Sequence, residues 1–380
     1  PGGGVSRRRL LQSTAGLGVI SIAGGSRSVT AQSAGGDLVW EFDPGEFMRT
    51  SPTVVDGTVY VGCADQQLYA LDASSGDQQW TFKTGGEVTS APAVADGMVF
   101  VGSNDLLFGD EEPVYAVYAV DVETGEQAWR FEVDDGIDSS PTVENGMVFV
   151  GTDGGSFYAL DTETGDQQWS YEMRGQVSSS PTVAGGTVYV GSTGLGIYAL
   201  DLNTGELAWR YGTDSGVVSS PTVASNSVYF GSADGVYAVR ATSGETRWTF
   251  DTSDAVTSSP TVSDGTVYVG CSDNKLYALG EGFGNKEWEY ETGDTVVSSP
   301  TVADGTVFVG SWDYLIHAVD ADTGDQQWSY ATDFQVSTAP VVVDGTLYAT
   351  SGDTTAYALE AGVDGSSEGT RVRYRTLGAI

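Results

Sequence analysis

Eight Ser-Pro or Ala-Pro steps, short β-like runs between them and a tryptophan returning in nearly every interval predict an all-β chain: an eight-bladed β-propeller of four-stranded antiparallel blades. The steps fall at Pro52, Pro92, Pro141, Pro181, Pro221, Pro260, Pro300 and Pro340, separated by 40, 49, 40, 40, 39, 40 and 40 residues. A period near 40 made only of short strands marks propeller blades and not helical solenoids. Composition agrees. Of 380 residues 52 are Gly, Val and Thr are frequent and aromatics reach 11%, as a β protein with many tight turns requires.

The first repeat shows the four strands in order. Thr53 to Val55 is the first, the pair Asp56-Gly57 is a hairpin turn, and Thr58 to Gly62 alternates apolar and polar residues as the second. Leu68 to Leu71 is the third. After a turn at Ser75-Gly76, the fourth carries Trp80 and Phe82.

Ala70, Asp72, Gly76 and Trp80 form an Ala-x-Asp-x-x-x-Gly-x-x-x-Trp pattern, which returns complete at Ala119/Asp121/Gly125/Trp129, Ala159/Asp161/Gly165/Trp169, Ala199/Asp201/Gly205/Trp209 and Ala318/Asp320/Gly324/Trp328. In the repeats that contain Trp248 and Trp288, Arg240 and Gly280 stand in place of Asp; in the eighth, Glu360 does and no Trp follows. The pattern resembles the docking motif of the pyrroloquinoline-quinone (PQQ) repeat propellers, and the resemblance covers about nine tenths of the chain. In that reading each indole wedges between neighbouring blades, its one N–H satisfied, while the Gly permits the tight turn. Trp40, Trp80, Trp129, Trp169, Trp209, Trp248, Trp288 and Trp328 are then structural.

Ring closure follows from what the eighth repeat lacks. Its missing tryptophan lies at the other end of the chain, where Gly36 and Trp40 keep the motif's spacing, so Asp37 to Phe42 is expected as the outer strand of the last blade. Arg371 to Arg375 competes for the same slot. Residues 35–380 are therefore read as the propeller.

The first 34 residues read as a leader. Ser6, Arg7, Arg8, Arg9, Leu10 and Leu11 resemble a twin-arginine export signal, the stretch from Ala15 to Ala23 is weakly apolar, and Val29 and Ala31 fit a cleavage site. A soluble protein outside the cytoplasm, extracellular or in the cell envelope, is expected. No run is long enough to span a bilayer.

The balance of 52 acidic against 16 basic residues gives a net charge of −36. Such a surface repels phosphate, so nucleic acid is excluded as a partner. It suits concentrated salt, where a Debye length of about 3 Å at 1 M silences self-repulsion. A halophilic source is the expectation; an acidic protein of ordinary salinity is the alternative. Cys63 and Cys271 occupy the same position of repeats one and six, too far apart around a ring to be joined, and are expected as buried thiols.

In propellers the loops between second and third strands share one face with the connections between blades, so departures from the repeat there are the functional candidates. Repeat two carries nine extra residues within Asn104 to Val114, among them Leu106, Leu107, Phe108 and the acids Asp110, Glu111 and Glu112. Trp312 and Tyr314 sit in the corresponding loop of repeat seven, and Phe334 and Phe47 in the connections entering repeats eight and one. Arg49 stands three before Pro52, where other repeats have Thr, Ser, Val or Asp138; it offers a lone positive charge to a small anion or acidic peptide, or a salt bridge to an adjacent acid. His317, the single histidine, replaces the usual Tyr and reads as a satisfied strand residue.

Three functions remain open. The chain has no nucleophile beside a His, no metal cluster and no phosphate loop, which supports an exported non-catalytic scaffold or binding module with no catalytic, cofactor or metal residue. The family resemblance implies the second, a quinoprotein alcohol or sugar dehydrogenase holding PQQ and calcium over the channel, although such enzymes are usually longer and many carry a vicinal Cys pair that is absent here. The third is a glycan-binding surface on Trp312, Tyr314 and Phe334. The partner, protein or small-molecule or glycan ligand, belongs on the channel face, and the oligomeric state is undetermined.

Overall fold

Every blade begins with a three-residue strand and a turn that most side chains resist. Asp56 and Gly57 have φ of 48° and 76°, the paired positive values of a hairpin turn whose twist matches its strands. That turn sets Thr53–Val55 against Thr58–Gly62, and Gln67–Asp72 and Gln78–Lys83 complete the sheet. The third strand runs one residue further at each end than the sequence predicts. The computed structural model describes residues 35–104, 114–194 and 196–367, and in them this unit recurs as eight four-stranded sheets with no helix. The leader expected over residues 1–34, Phe108 with most of its insertion, and Arg371 to Arg375 lie outside the described residues.

Apolar surface is buried between sheets. Phe149, Phe157 and Trp169 of blade 3 pack against Val188, Val190 and Leu200 of blade 4, and equivalent layers fill the other interfaces. Burial weakens outward: in Gln167–Glu172 only Trp169 is buried, because a fourth strand has a neighbour on one edge alone.

The tryptophans and glycines act as one device. Each of the eight indole N–H groups donates to a backbone carbonyl of the next blade at 2.8–3.1 Å, as from Trp169 to Leu202. The ring lies on that blade's motif glycine. Gly205 has φ of +70°, and a Cβ there would stand 2.5 Å from Trp169 Cε3, so both the turn and the indole demand glycine. The motif Asp supports the same turn: Asp161 accepts from the Thr164 and Glu163 N–H groups, which hold its carboxyl below the usual range. Where Arg240 and Gly280 replace it, the turn keeps its backbone bonds, Gly244 N to Arg240 O and Gly284 N to Gly280 O, both 2.8 Å.

The first strands form a closed ring, Thr53–Val55 lying beside both Ala93–Ala95 and Val341–Val343. Blade 8 is stitched from both ends of the chain: Leu38–Phe42 pairs antiparallel with Ala356–Glu360. Gly36 N donates to Glu360 O at 2.7 Å and Glu360 N to Asp37 O at 2.8 Å. These are the bonds of Gly76 N to Asp72 O and Asp72 N to Asp77 O, here made across a chain break. The outer slot is thus filled by the early strand.

Two hydrogen-bond belts explain the Ser-Pro-Thr ruler. The residue before Pro donates its N–H to the same-position Ser hydroxyl of the next blade, as Ser140 to Ser180 at 3.0 Å. The Thr after Pro donates its hydroxyl to the next Pro carbonyl, as Thr142 to Pro181 at 2.7 Å. Blades 2 and 8 read Ala91-Pro-Ala93 and Ala339-Pro-Val341, so each belt breaks at two interfaces, but the two sets of breaks differ. Every interface keeps one belt. Ala91→Ser restores an acceptor for Ser51 N–H and is expected to stabilise the fold by about 0.5–1.5 kcal/mol, read as a raised urea midpoint with unchanged slope.

No helix among the described residues is long and apolar enough to cross a membrane.

Candidate functional site

Loops at one end of the ring are tied in pairs. In seven of the eight blades the residue two beyond the last glycine of the second strand, or beyond Thr350 in blade 8, donates its N–H to the connection entering that blade, as Ala64 to Phe47 O, Trp312 to Thr295 O and Gly352 to Gln335 O, each 2.9 Å. Backbone holds these positions, so the bond itself does not dictate their side chains. They form the mouth of the ring.

On the side of blades 7, 8 and 1 the mouth is aromatic. Tyr314 and Phe334 stack with centroids 5.7 Å apart and planes 14° from parallel. Trp312 donates its indole N–H to Ser337 Oγ at 3.1 Å, which fixes its ring beside them. Phe334 and Phe47 face one cavity of about 390 Å³ whose wall includes Met48, Arg49, Gln335 and Gly352. Gly352 makes room for the Phe334 ring, since a Cβ there would lie 2.7 Å from Phe334 Cδ1. The Arg49 guanidinium sits 5.6 Å from the Phe47 ring centroid and makes no ion pair among the described residues. A carboxylate partner for it, one of the two readings of the sequence, is therefore replaced by an aromatic face.

Two blades further round the ring, at blades 2 and 3, the mouth is acidic. Asn104 donates its amide to Asp138 at 2.8 Å and Asp153 at 3.2 Å, with Asp135 close by and Glu87 buried beneath. Burial first, and the Asp138 charge second, push Asp153 up to about 6 against the Asn104 bond. Asp138 therefore stands apart from Arg49, with which the sequence grouped it. Asn104, Asp153 and Glu87 were not singled out from the sequence. The available signal was that Asn104 opens the insertion, and its equivalents are Ala64, Asp153 and Thr193 elsewhere.

Because the folded carboxyl of Asp153 is raised above 3.8, the folded state holds its proton longer than the unfolded chain does. Stability is thus lost as pH rises from the unfolded to the folded value, and the loss is complete above about 6. Asp153→Asn is expected to raise the melting temperature at about pH 8, with the gain gone near about pH 4.

His317 is buried and satisfied. Its Nδ1 lies 3.0 Å from Tyr290 Oη and its Nε2 3.1 Å from Asp313 Oδ2, so it joins blades 6 and 7. Burial works against the Asp313 charge, but bonds from His317, Gly293 N–H and Leu315 N–H outweigh it and keep the carboxyl low. Cys63 and Cys271 are free and buried; burial pushes their thiols up to about 12 and about 11. Such thiols are inert at neutral pH. No three His, Cys, Asp or Glu side chains among the described residues are grouped to hold a metal ion.

A repeat-family model described as outer membrane protein assembly factor BamB matches residues 25–112, 113–235, 173–297 and 232–363. The chain belongs to this PQQ-repeat family. Among solved structures, BamB from Moraxella catarrhalis is 19% identical with a TM-score of 0.73, covering 85% of this chain and 99% of its own. The computationally designed Ika8 protein is 19% identical with a TM-score of 0.75 and the same coverage. A quinohemoprotein alcohol dehydrogenase from Comamonas testosteroni is 17% identical with a TM-score of 0.71, covering 86% of this chain and 76% of its own. The curated proteins give no match. At these identities the structural likenesses establish the fold, and PQQ-repeat propellers with and without redox chemistry share it.

Proposed function

We propose that this PQQ-repeat propeller is an exported, non-catalytic scaffold of the cell envelope that binds a protein partner at the aromatic side of its mouth. One observation carries the reading. Five aromatic side chains are exposed among the described residues; four of them, Phe47, Trp312, Tyr314 and Phe334, at 36–44%, lie at blades 7, 8 and 1, and the fifth, Phe283, lies elsewhere. Exposed aromatic rings concentrated in one place, on a chain of net charge −36, mark a contact surface and not incidental exposure. Membership of a family described by an assembly factor supports the same reading.

The quinoprotein reading asks the mouth to hold PQQ, a ring system with three carboxylates, together with calcium. The described residues support it less than a scaffold. Arg49 is the single cation lining the aromatic cavity, and Cys63 and Cys271 sit buried in different blades with no vicinal pair to cover a flat ring, although the grouped oxygens of Asn104, Asp138 and Asp153 are of the kind calcium takes. A glycan surface would use the same rings by stacking, with no need of Arg49.

Capture from native envelope in concentrated salt tests the proposal. The full chain is expected to retain one protein partner, and Trp312→Ala or Phe334→Ala to lose it at unchanged melting temperature. Capture that survives both substitutions would remove the mouth as the partner surface, and glycan binding lost on Trp312→Ala would favour the third reading.

A further inference from the structure

Resting on the partner surface argued above, we propose that the cavity between the Phe47 and Phe334 loops takes an acidic–aromatic segment of the partner, its ring against those two side chains and its carboxylate on Arg49. The cavity, about 390 Å³, is the size of one or two residues and too small for a folded element. Its wall carries two aromatic rings, Phe47 and Phe334, and one charged group, Arg49, beside the uncharged Gln335, Ser337 and Thr338.

Arg49 is exposed, and in a chain with 52 acids its guanidinium lies over a phenyl ring instead of a carboxylate. Cation–π contact holds the group in place while its N–H donors stay available, and the fork geometry of guanidinium matches a carboxylate through two parallel bonds. An uncharged ligand would leave those donors to water or to weaker neutral acceptors. Charge also limits the partner: Asp135, Asp138 and Asp153 lie at the same mouth two blades further round, so a long acidic run is repelled there and a single carboxylate beside a ring is favoured. Two functions of one cavity, ring and anion, therefore converge on neighbouring residues of the ligand.

The probe is the peptide acetyl-Gly-Asp-Phe-Gly-amide and its uncharged isostere with Asn for Asp, titrated against the full chain by calorimetry or saturation-transfer NMR. The Asp peptide is expected to bind about tenfold tighter than the Asn peptide. Arg49→Gln is expected to level the two, whereas Phe334→Ala weakens both and leaves their ratio intact. Equal binding of the two peptides to the parent chain, or binding of neither at millimolar concentration, overturns the inference.

Envelope capture separates this inference from the reading beneath it. A partner lost on Phe334→Ala but retained by Arg49→Gln overturns the acidic–aromatic ligand and keeps the partner surface; one retained by both variants overturns both. Phe108 and Asp110 of the chain itself form a stretch of similar chemistry. A concentration-dependent dimer abolished by Arg49→Gln and by removal of residues 105–113 would assign the cavity to a second copy, overturning a separate partner.

Discussion

Trp169→Ala is expected to destabilise the propeller by about 3–5 kcal/mol, measured as a lowered urea midpoint, while Trp312→Ala changes stability by less than about 1 kcal/mol. The contrast comes from surroundings and not from residue type. Trp169 is 8% exposed, packs with Phe149 and Phe157, and donates to Leu202 O at 3.0 Å, so its removal leaves a void between blades 3 and 4 and an orphaned carbonyl. Trp312 is 36% exposed at the mouth, where water replaces what is lost. Gly205→Ala should reproduce much of the Trp169 defect, because its Cβ meets the same indole and its φ of +70° costs about 1–2 kcal/mol for any L side chain. The two substitutions act on one contact, so the double variant is expected to fall short of their sum.

Removing residues 1–42 is expected to abolish cooperative folding, or to lower stability by at least as much as Trp169→Ala, whereas removing residues 1–34 leaves the melting temperature unchanged. The longer deletion takes away Leu38–Phe42, which among the described residues is the one strand on the outer edge of Ala356–Glu360, and with it Trp40, which donates to Ala73 O at 2.8 Å and so binds blade 8 to blade 1. An open ring exposes two blade faces at once. A circular permutant in which residues 35–44 follow residue 367 keeps blade 8 complete and is expected to fold. Full stability of the 1–42 deletion would show that the ring closes by its first strands alone.

The repeat explains why so much of this was legible. Asp56-Gly57 and its copies announce hairpins locally, and the Ala-x-Asp-x-x-x-Gly-x-x-x-Trp spacing recurs often enough to count blades and expose the one completed by Gly36 and Trp40. Periodic residues report a structure that is itself periodic. Phe47, Arg49, Trp312, Tyr314 and Phe334 were legible for the opposite reason, as departures from the period on loops that backbone bonds already hold.

What the sequence by itself determined was the class of fold, the number of blades, the strand that closes the ring and the identity of the irregular residues, because each depends on spacing along one chain. Only the tertiary structure decided that Arg49 faces a phenyl ring and that Asp138 belongs with Asn104 and Asp153 on another side of the mouth. It also decided that the serine and threonine belts break at different interfaces. Those outcomes depend on which side chains meet across blades, and residues forty or three hundred positions apart carry no local signal of the distance between them.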